Sequence, residues 1–174
     1  MIFFCVTLVS DFDIIFLRLE QNMNLIIRHA LENEASLILR FIKGIAEYEK
    51  LSDQVQATEE SIYKSIFVDK DARVLIAFLD AIPVGFALYF FNYSTFKGKK
   101  GLYLEDLFIY EEYRKLGIGK KLFEELKTIA NKENCGRMEW VCLDWNQNAI
   151  DFYLSKRAKP LDEWTIYRID ESDY

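Results

Sequence analysis

The chain has 174 residues, 51% of them hydrophobic and 16% aromatic, and it carries a formal net charge of −6. This length and composition are typical of one globular domain with a substantial core and exclude a disordered chain. The negative charge argues against nucleic acid as the main partner, because phosphate backbones select basic surfaces.

The first 22 residues are predicted to be an extension outside the core. Residues 1–9 are apolar, but no Lys or Arg precedes them. Asp11 and Asp13 follow before any small-residue cleavage site, which is not the pattern of a signal peptide. The stretch is also too short to span a membrane, so we expect no membrane partner. Residues 23–174 are predicted to form a single domain, without repeats or a Pro/Gly-rich linker.

The predicted elements form a β-rich middle of the chain, followed by alternating strands and helices. Hydrophobic periodicity, with turn and cap residues between the segments, predicts these elements. The predicted strands are Leu25–His29, Arg73–Leu79, Val84–Tyr93, Leu102–Tyr110, Met138–Leu143 and Glu163–Asp170. The predicted helices are Glu32 to about Tyr48, one capped by Thr58 that runs to Phe67, Gly117–Glu133, and Asn146–Ser155. This order indicates an α/β fold, a mixed sheet with helices packed on it, and neither a dinucleotide-binding fold nor a barrel.

Cysteine and histidine content limits the available chemistry. The three cysteines have no metal-ligand spacing and His29 is the only histidine, so neither a zinc site nor a Ser-His-Asp site can be assembled. We therefore expect no metal. An odd number of cysteines without a disulfide pattern indicates reduced thiols and a cytoplasmic location.

A turn between a strand and a helix carries the strongest functional signal. Its residues are Arg114, Lys115, Leu116, Gly117, Ile118, Gly119 and Lys120. Unpaired amides and partial positive charge at a helix start bind phosphate groups, and glycine lets an oxygen approach the backbone. Basic side chains add charge-assisted bonds. The nucleotide-binding P-loop and Gly-x-Gly-x-x-Gly patterns are both missing from the sequence, and a plain tight turn is the alternative for this segment taken alone.

The Arg-x-x-Gly-x-Gly pattern resembles the acetyl-CoA pyrophosphate signature of the GCN5-related N-acetyltransferases. One strand and one helix later, the segment from Asn146 to Tyr153 resembles the second half of that signature. The resemblance covers nearly everything from Met23 onward. It implies acetyl-CoA as the acetyl donor and a central, mostly antiparallel sheet with a splayed strand and helices on both faces. It also implies that Asn146 contacts the cofactor, with helix capping as the alternative role.

Three further segments resemble the branch of this family that acetylates diamines (spermidine and spermine) or thialysine. They are Ile45–Glu49, Leu102–Ile109 and Trp164. The resemblance implies a small cationic amine as the substrate and a homodimer as the assembly. The candidate residues of the acceptor groove are Glu47, Tyr48, Trp145 and Trp164, with core packing as the alternative for the two tryptophans. The sequence does not separate a polyamine from a thialysine-like amino acid.

Acetyl transfer to an amine requires a proton acceptor, because an alkylammonium with a pKa of about 10.4 is protonated at pH 7. Glu105 and Asp106 are adjacent on a strand, so their side chains point to opposite faces unless a bulge redirects one of them. We expect Glu105 to be the water-linked base and Asp106 to bind the substrate ammonium, although both can be ordinary surface carboxylates.

The resemblance implies two more roles in the transfer. Backbone groups near Leu107, Phe108 and Ile109 hold the pantetheine and the thioester oxygen. Tyr153 protonates the sulfur of coenzyme A, which a phenol with a pKa of about 10 can do without a partner residue. The alternative is that Tyr153 and Phe152 are a core aromatic pair.

Two other classes of function compete with this prediction. The acceptor can be an aminoglycoside, another amino acid or a protein N-terminus, or the protein can bind acyl-CoA without catalysis. A binding module needs the glycine turn but neither Glu105 nor Tyr153. The presence of both groups therefore favours an enzyme, with direct attack of the amine in a ternary complex.

Overall fold

The structure of the protein is a computed structural model that describes residues 24–174. The predicted extension, residues 1–22, lies outside the described residues. The described chain divides into two compact units, one that ends at Trp140 and a second over Val141–Tyr174.

A five-stranded sheet in the order β1-β2-β3-β4-β5 forms the centre of the first unit. Its strands are β1 (Leu25–His29), β2 (Arg73–Leu79), β3 (Ile82–Ser94), β4 (Lys99–Ile109) and β5 (Met138–Glu139). The first four pair antiparallel, whereas β5 pairs parallel with β4. Short turns connect β2 to β3 and β3 to β4, as antiparallel neighbours allow. The parallel strands β4 and β5 are joined by a long connection that contains a helix, which a parallel pair requires.

Helices cover both faces of this sheet. They are α1 (Ala35–Glu49), α2 (Glu59–Tyr63, continued by a π-helical turn over Lys64–Val68) and α3 (Ile118–Lys132). On one face, Phe41 of α1 stacks on Phe86 of β3 with ring centroids 5.1 Å apart. On the other face, α3 contacts the three central strands and buries Leu122 and Leu126 completely. The predicted mixed α/β architecture with helices on both faces is confirmed.

The start of α2 follows the predicted cap. The Thr58 hydroxyl accepts a hydrogen bond from the Ser61 N–H at 3.1 Å, and the Thr58 N–H donates to the Ser61 hydroxyl at 2.9 Å. This reciprocal pair satisfies backbone donors that the first helical turn leaves without partners.

The second unit contains one α-helix, α4 (Gln147–Ser155). Two sequence predictions near it are wrong: β5 ends at Glu139 rather than Leu143, and Glu163–Asp170 forms no strand. A strand exists only through hydrogen bonds to a neighbouring strand, and no such ladder reaches residues 163–170 within the described part of the chain. None of the described helices has the length and apolarity needed to cross a membrane.

Candidate active site

A bulge on β4 decides where its two carboxylates point. Asp106 pairs with Leu88 of β3 and Leu104 pairs with the next residue, Tyr89, so Glu105 is an extra residue without a cross-strand partner. Leu104 is buried, Glu105 is exposed, and Asp106 is partly buried. The bulge reverses the alternation, so Asp106 lies on the same face as Phe108 and α1.

The outer edge of β4 is open over its second half. β5 pairs only with Leu102 and Tyr103, and no described strand pairs with that edge from Leu104 to Ile109. The pairing of β4 with β5 is therefore limited to two residues. It leaves main-chain groups of Leu107, Phe108 and Ile109 without a strand on this side, where an extended ligand can form hydrogen bonds to them.

The phosphate loop, residues 114–120, leads into the start of α3. Gly117 has a φ of 76° and Lys115 a φ of 64°, and the first helical bond runs from the Lys121 N–H to the Gly117 carbonyl at 3.1 Å. No side chain caps this helix and no acidic residue lies in its first turn. The amides before Lys121 are therefore without intrahelical acceptors at the positive end of the helix.

Space in front of the phosphate loop fits a diphosphate group. A Cβ at Gly117 would meet no atom within 4 Å, and one at Gly119 would meet only Ile109 Cγ1, at 3.8 Å. None of the residues from 24 to 174 fills this space, and Lys115 and Lys120 are exposed beside it. The turn thus combines backbone donors, basic side chains and room for a close approach.

Arg114 takes a different direction from the one expected of a phosphate ligand. Its Nε donates to the Ile109 carbonyl at 3.0 Å, and its guanidinium lies over the Tyr48 ring at 4.5 Å and the Phe108 ring at 5.9 Å. These contacts tie the phosphate loop to the end of β4 and to α1.

A cavity of about 360 Å³ lies on the α1 side of the bulge. Two carboxylates, Glu49 and Asp106, line it together with Gln54, Gln56 and apolar side chains. No basic side chain of the described residues lines it. Burial raises the pKa of Asp106 to about 7, and the charges of Glu105 and Glu49 add to the rise. Burial also raises the pKa of Glu49. A cation entering this cavity would stabilise the ionised form of both groups.

Glu49 is a residue that the sequence reasoning missed. The sequence prediction chose Glu47, but Glu47 is exposed and does not line the cavity, because two residues along a helix point to opposite sides. The signal was present in the sequence: the apolar face of α1 runs through Ile42 and Ile45 and reaches Glu49 at the next i+4 position. A carboxylate on an apolar helix face indicates a buried polar site.

The remaining predicted site residues belong to the second unit. Tyr153 lies on α4, with its ring 5.3 Å from that of Phe152. The Asn146 side chain accepts a hydrogen bond from the Ala149 N–H at 3.2 Å, which confirms its role as the cap of α4. Trp145 and Trp164 are exposed. Among residues 24–174, no group of three or more His, Cys, Asp or Glu side chains is arranged to hold a metal ion.

Comparison with known proteins gives a consistent result. The model of the Acetyltransferase (GNAT) family matches residues 29–157. The chain is 38% identical over 156 residues to a thialysine N-epsilon-acetyltransferase of Bos taurus, covering 83% of this chain and 91% of that protein. It is 33% identical over 158 residues to a spermidine/spermine N(1)-acetyltransferase-like protein of Homo sapiens, covering 84% of this chain but 23% of the human protein.

The fold has counterparts among solved structures. An integron cassette protein from the mobile metagenome of V. cholerae superposes with a TM-score of 0.71 at 27% sequence identity. The match covers 86% of this chain and 94% of that one.

Proposed function

The chain belongs to the acetyltransferase (GNAT) family, and from this premise we propose that it transfers the acetyl group of acetyl-CoA to a primary amine of a small cationic substrate. The transfer occurs by direct attack of the amine in a ternary complex. The observation that carries the choice of substrate is the pair of carboxylates, Glu49 and Asp106, in a cavity without a basic lining residue.

Acetyl-CoA binding is assigned to the phosphate loop and the open edge of β4. The amides at the start of α3 bind the diphosphate. The neighbouring residues of the phosphate loop surround it: Lys115, Leu116, Ile118 and Lys120. Arg114 holds the loop in place by its hydrogen bond to the Ile109 carbonyl. Main-chain groups of Leu107–Ile109 bind the pantetheine arm and donate to the thioester oxygen, where negative charge develops during the reaction. Acetyl-CoA supplies the activated acetyl group.

Binding and deprotonation of the amine are assigned to three carboxylates. Asp106 and Glu49 bind the ammonium group in the cavity, because charge-assisted hydrogen bonds favour a cation there. Glu105, which the bulge leaves exposed, receives the proton through water. Tyr153 then donates a proton to the departing thiolate of coenzyme A, and Asn146 contacts the cofactor in addition to capping α4.

The acceptor is a polyamine, a diamine or a thialysine-like amino acid. The bovine relative acts on thialysine and the human relative is named for spermidine and spermine, which supports a substrate with a flexible chain and a terminal amine. The apolar lining of the cavity, with Ile42, Ile45 and Leu51, suits a methylene chain. Glu47, Tyr48 and Trp164, which the sequence assigned to the acceptor groove, are not among the residues that line this cavity.

A homodimer is part of the proposal. Residues 163–170 carry a strand-like sequence but have no ladder partner in the chain described, and Trp164, Ile166 and Ile169 expose about 70% of their surface each. A second copy of the chain would cover these apolar side chains. We also place the enzyme in the cytoplasm, where the thiols of Cys135 and Cys142 stay reduced.

The test is a panel of amines assayed with acetyl-CoA: spermidine, putrescine, thialysine, lysine, an aminoglycoside and a peptide with a free N-terminus. We expect the highest kcat/KM for an amine with a flexible methylene or thioether chain. The highest kcat/KM for the aminoglycoside or the peptide would contradict the proposed substrate class. Tight binding of coenzyme A with no turnover on any amine would indicate a binding module.

A further inference from the structure

A second cavity, of about 380 Å³, lies at the end of α3 remote from the phosphate loop. We call it the basic cavity; its mouth is formed by Lys70, Arg73 and Lys132 and its floor by Phe67, Tyr89 and Phe91. Fifteen residues of α3 span about 22 Å, so the basic cavity is distinct from the diphosphate site. Its volume is in the range of small-molecule sites.

The mouth of the basic cavity carries an excess of positive charge. None of its three cations forms a salt bridge within the described residues, and the one lining carboxylate, Glu133, is paired with Lys100. The C-terminal end of α3 adds only about half a negative charge. The cations therefore dominate the potential, in a protein whose net charge is −6.

The floor of the basic cavity holds a buried donor. Tyr89 is 1% exposed and lines the cavity. Burial raises the pKa of Tyr89 to about 12, so the hydroxyl remains a donor at neutral pH.

One of the three cations, Arg73, is held against an aromatic ring of the cavity. The Arg73 guanidinium lies 4.7 Å from the Phe91 ring, and the His29 ring lies 6.4 Å from that of Tyr89. Stacking on Phe91 orders the guanidinium before any ligand binds, which lowers the entropic cost of binding.

We propose that the basic cavity binds a small organic anion, a carboxylate or phosphate monoester carried on an apolar ring or chain. Lys70, Arg73 and Lys132 bind the anionic group, and the Tyr89 hydroxyl donates to it or to its ester oxygen. The rings of Phe67 and Phe91 contact the apolar body. No acyl transfer is involved, so this site is independent of the acetyltransferase activity.

The test uses the whole protein with and without saturating coenzyme A. Phenyl phosphate, benzoate, inorganic phosphate and benzyl alcohol are each titrated, and binding is followed by calorimetry and by the ring resonances of His29, the only histidine. We expect phenyl phosphate or benzoate to bind about tenfold more tightly than inorganic phosphate or benzyl alcohol, and to shift the His29 signals. Tighter binding of phenyl phosphate than of benzoate would identify a phosphate monoester as the preferred anion, and the reverse order would identify a carboxylate. No binding of either below about 10 mM overturns the proposal.

Variants separate this site from nonspecific charge effects. Arg73→Gln and Lys132→Gln should each weaken binding about tenfold, because each removes a charge-assisted bond. Lys127→Gln removes a charge from the same helix outside the cavity and should change binding less than about twofold. Lys132 is exposed at the helix end, so its variant should fold even if Arg73→Gln does not. The assignment is overturned if Lys127→Gln weakens binding as much as Arg73→Gln and Lys132→Gln do. It is also overturned if coenzyme A displaces phenyl phosphate.

Discussion

The guanidinium of Arg114 lies 4.5 Å from the ring centroid of Tyr48. A residue of the phosphate loop is therefore in contact with α1, the helix that also lines the cavity with Glu49 and Asp106. The sequence assigned these two residues to different ligands. Their contact, with the bond from Arg114 to the Ile109 carbonyl, fixes the loop against the strand that bears the carboxylates.

A double-mutant cycle should detect this contact. Arg114→Gln and Tyr48→Leu are expected to show a coupling energy of about 0.5–1 kcal/mol in urea unfolding, because each single change removes the same cation–π interaction. Lys115→Gln, a neighbouring change that leaves this pair intact, should be additive with Tyr48→Leu. Additivity of the Arg114 and Tyr48 changes would show that the contact contributes nothing to stability.

Substitution of the two glycines of the phosphate loop should separate backbone strain from ligand contact. Gly119→Ala should raise the KM for acetyl-CoA about tenfold or more with little change in Tm, because the protein leaves room for a methyl group where the diphosphate approaches.

Gly117→Ala should lower both stability and acetyl-CoA affinity. Its φ of 76° costs an alanine about 1 kcal/mol. Gly98 is a matched control, since it has a φ of 60° and a methyl group added there would meet no atom within 4 Å. Gly98→Ala should lose similar stability without a change in KM. An unchanged KM in both phosphate-loop variants would exclude this turn as the cofactor site.

Two glutamates on α1 provide a variant and its control for the cavity that contains Glu49 and Asp106. Glu49→Gln should raise the KM for the amine about tenfold, because it removes one of the two carboxylates in the cavity. Glu47→Gln should change it by less than about twofold, since Glu47 is exposed outside the cavity. Steady-state kinetics with both substrates varied measures this, and the KM for acetyl-CoA should stay constant. A larger effect at Glu47 would reverse the assignment.

The raised pKa of Asp106 predicts a pH-dependent stability. Its folded-state pKa, about 7, lies above its ordinary value of 3.8, so the folded state favours the protonated form. The stability of the protein therefore falls as pH rises from about 4 to about 7 and changes little above that range. Asp106→Asn should therefore unfold at a higher temperature than the natural protein at pH 8, with a smaller difference at pH 5. Equal Tm differences at both pH values would contradict the buried carboxylate.

Tyr153→Phe tests the proposed proton donor. Turnover should fall by roughly 10²–10⁴ with little change in the KM for acetyl-CoA, because the hydroxyl acts only on the departing thiolate. Single-turnover measurements ensure that the chemical step is observed. The neighbouring variant Phe152→Leu should retain far more activity. Unchanged chemistry in Tyr153→Phe would remove this residue from the mechanism.

The sequence by itself determined the features that depend on local pattern. Strand β2, the start of α3 near Gly117 and the capping of α2 by Thr58 each follow from periodicity, backbone freedom or a side-chain bond within a few residues. The glycine turn and the residues around Tyr153 were also enough to identify the family, because both lie within short segments.

Only the tertiary structure decided the features that depend on partners distant in the chain. The bulge at Glu105 depends on the register between β4 and β3. Glu49 rather than Glu47 lines the same cavity as Asp106, because α1 packs on that face of the sheet. The predicted strand at Glu163–Asp170 is missing because a strand needs a partner, which no described residue supplies. Propensity and periodicity act over a few residues, whereas register, burial and pairing are set by the whole fold.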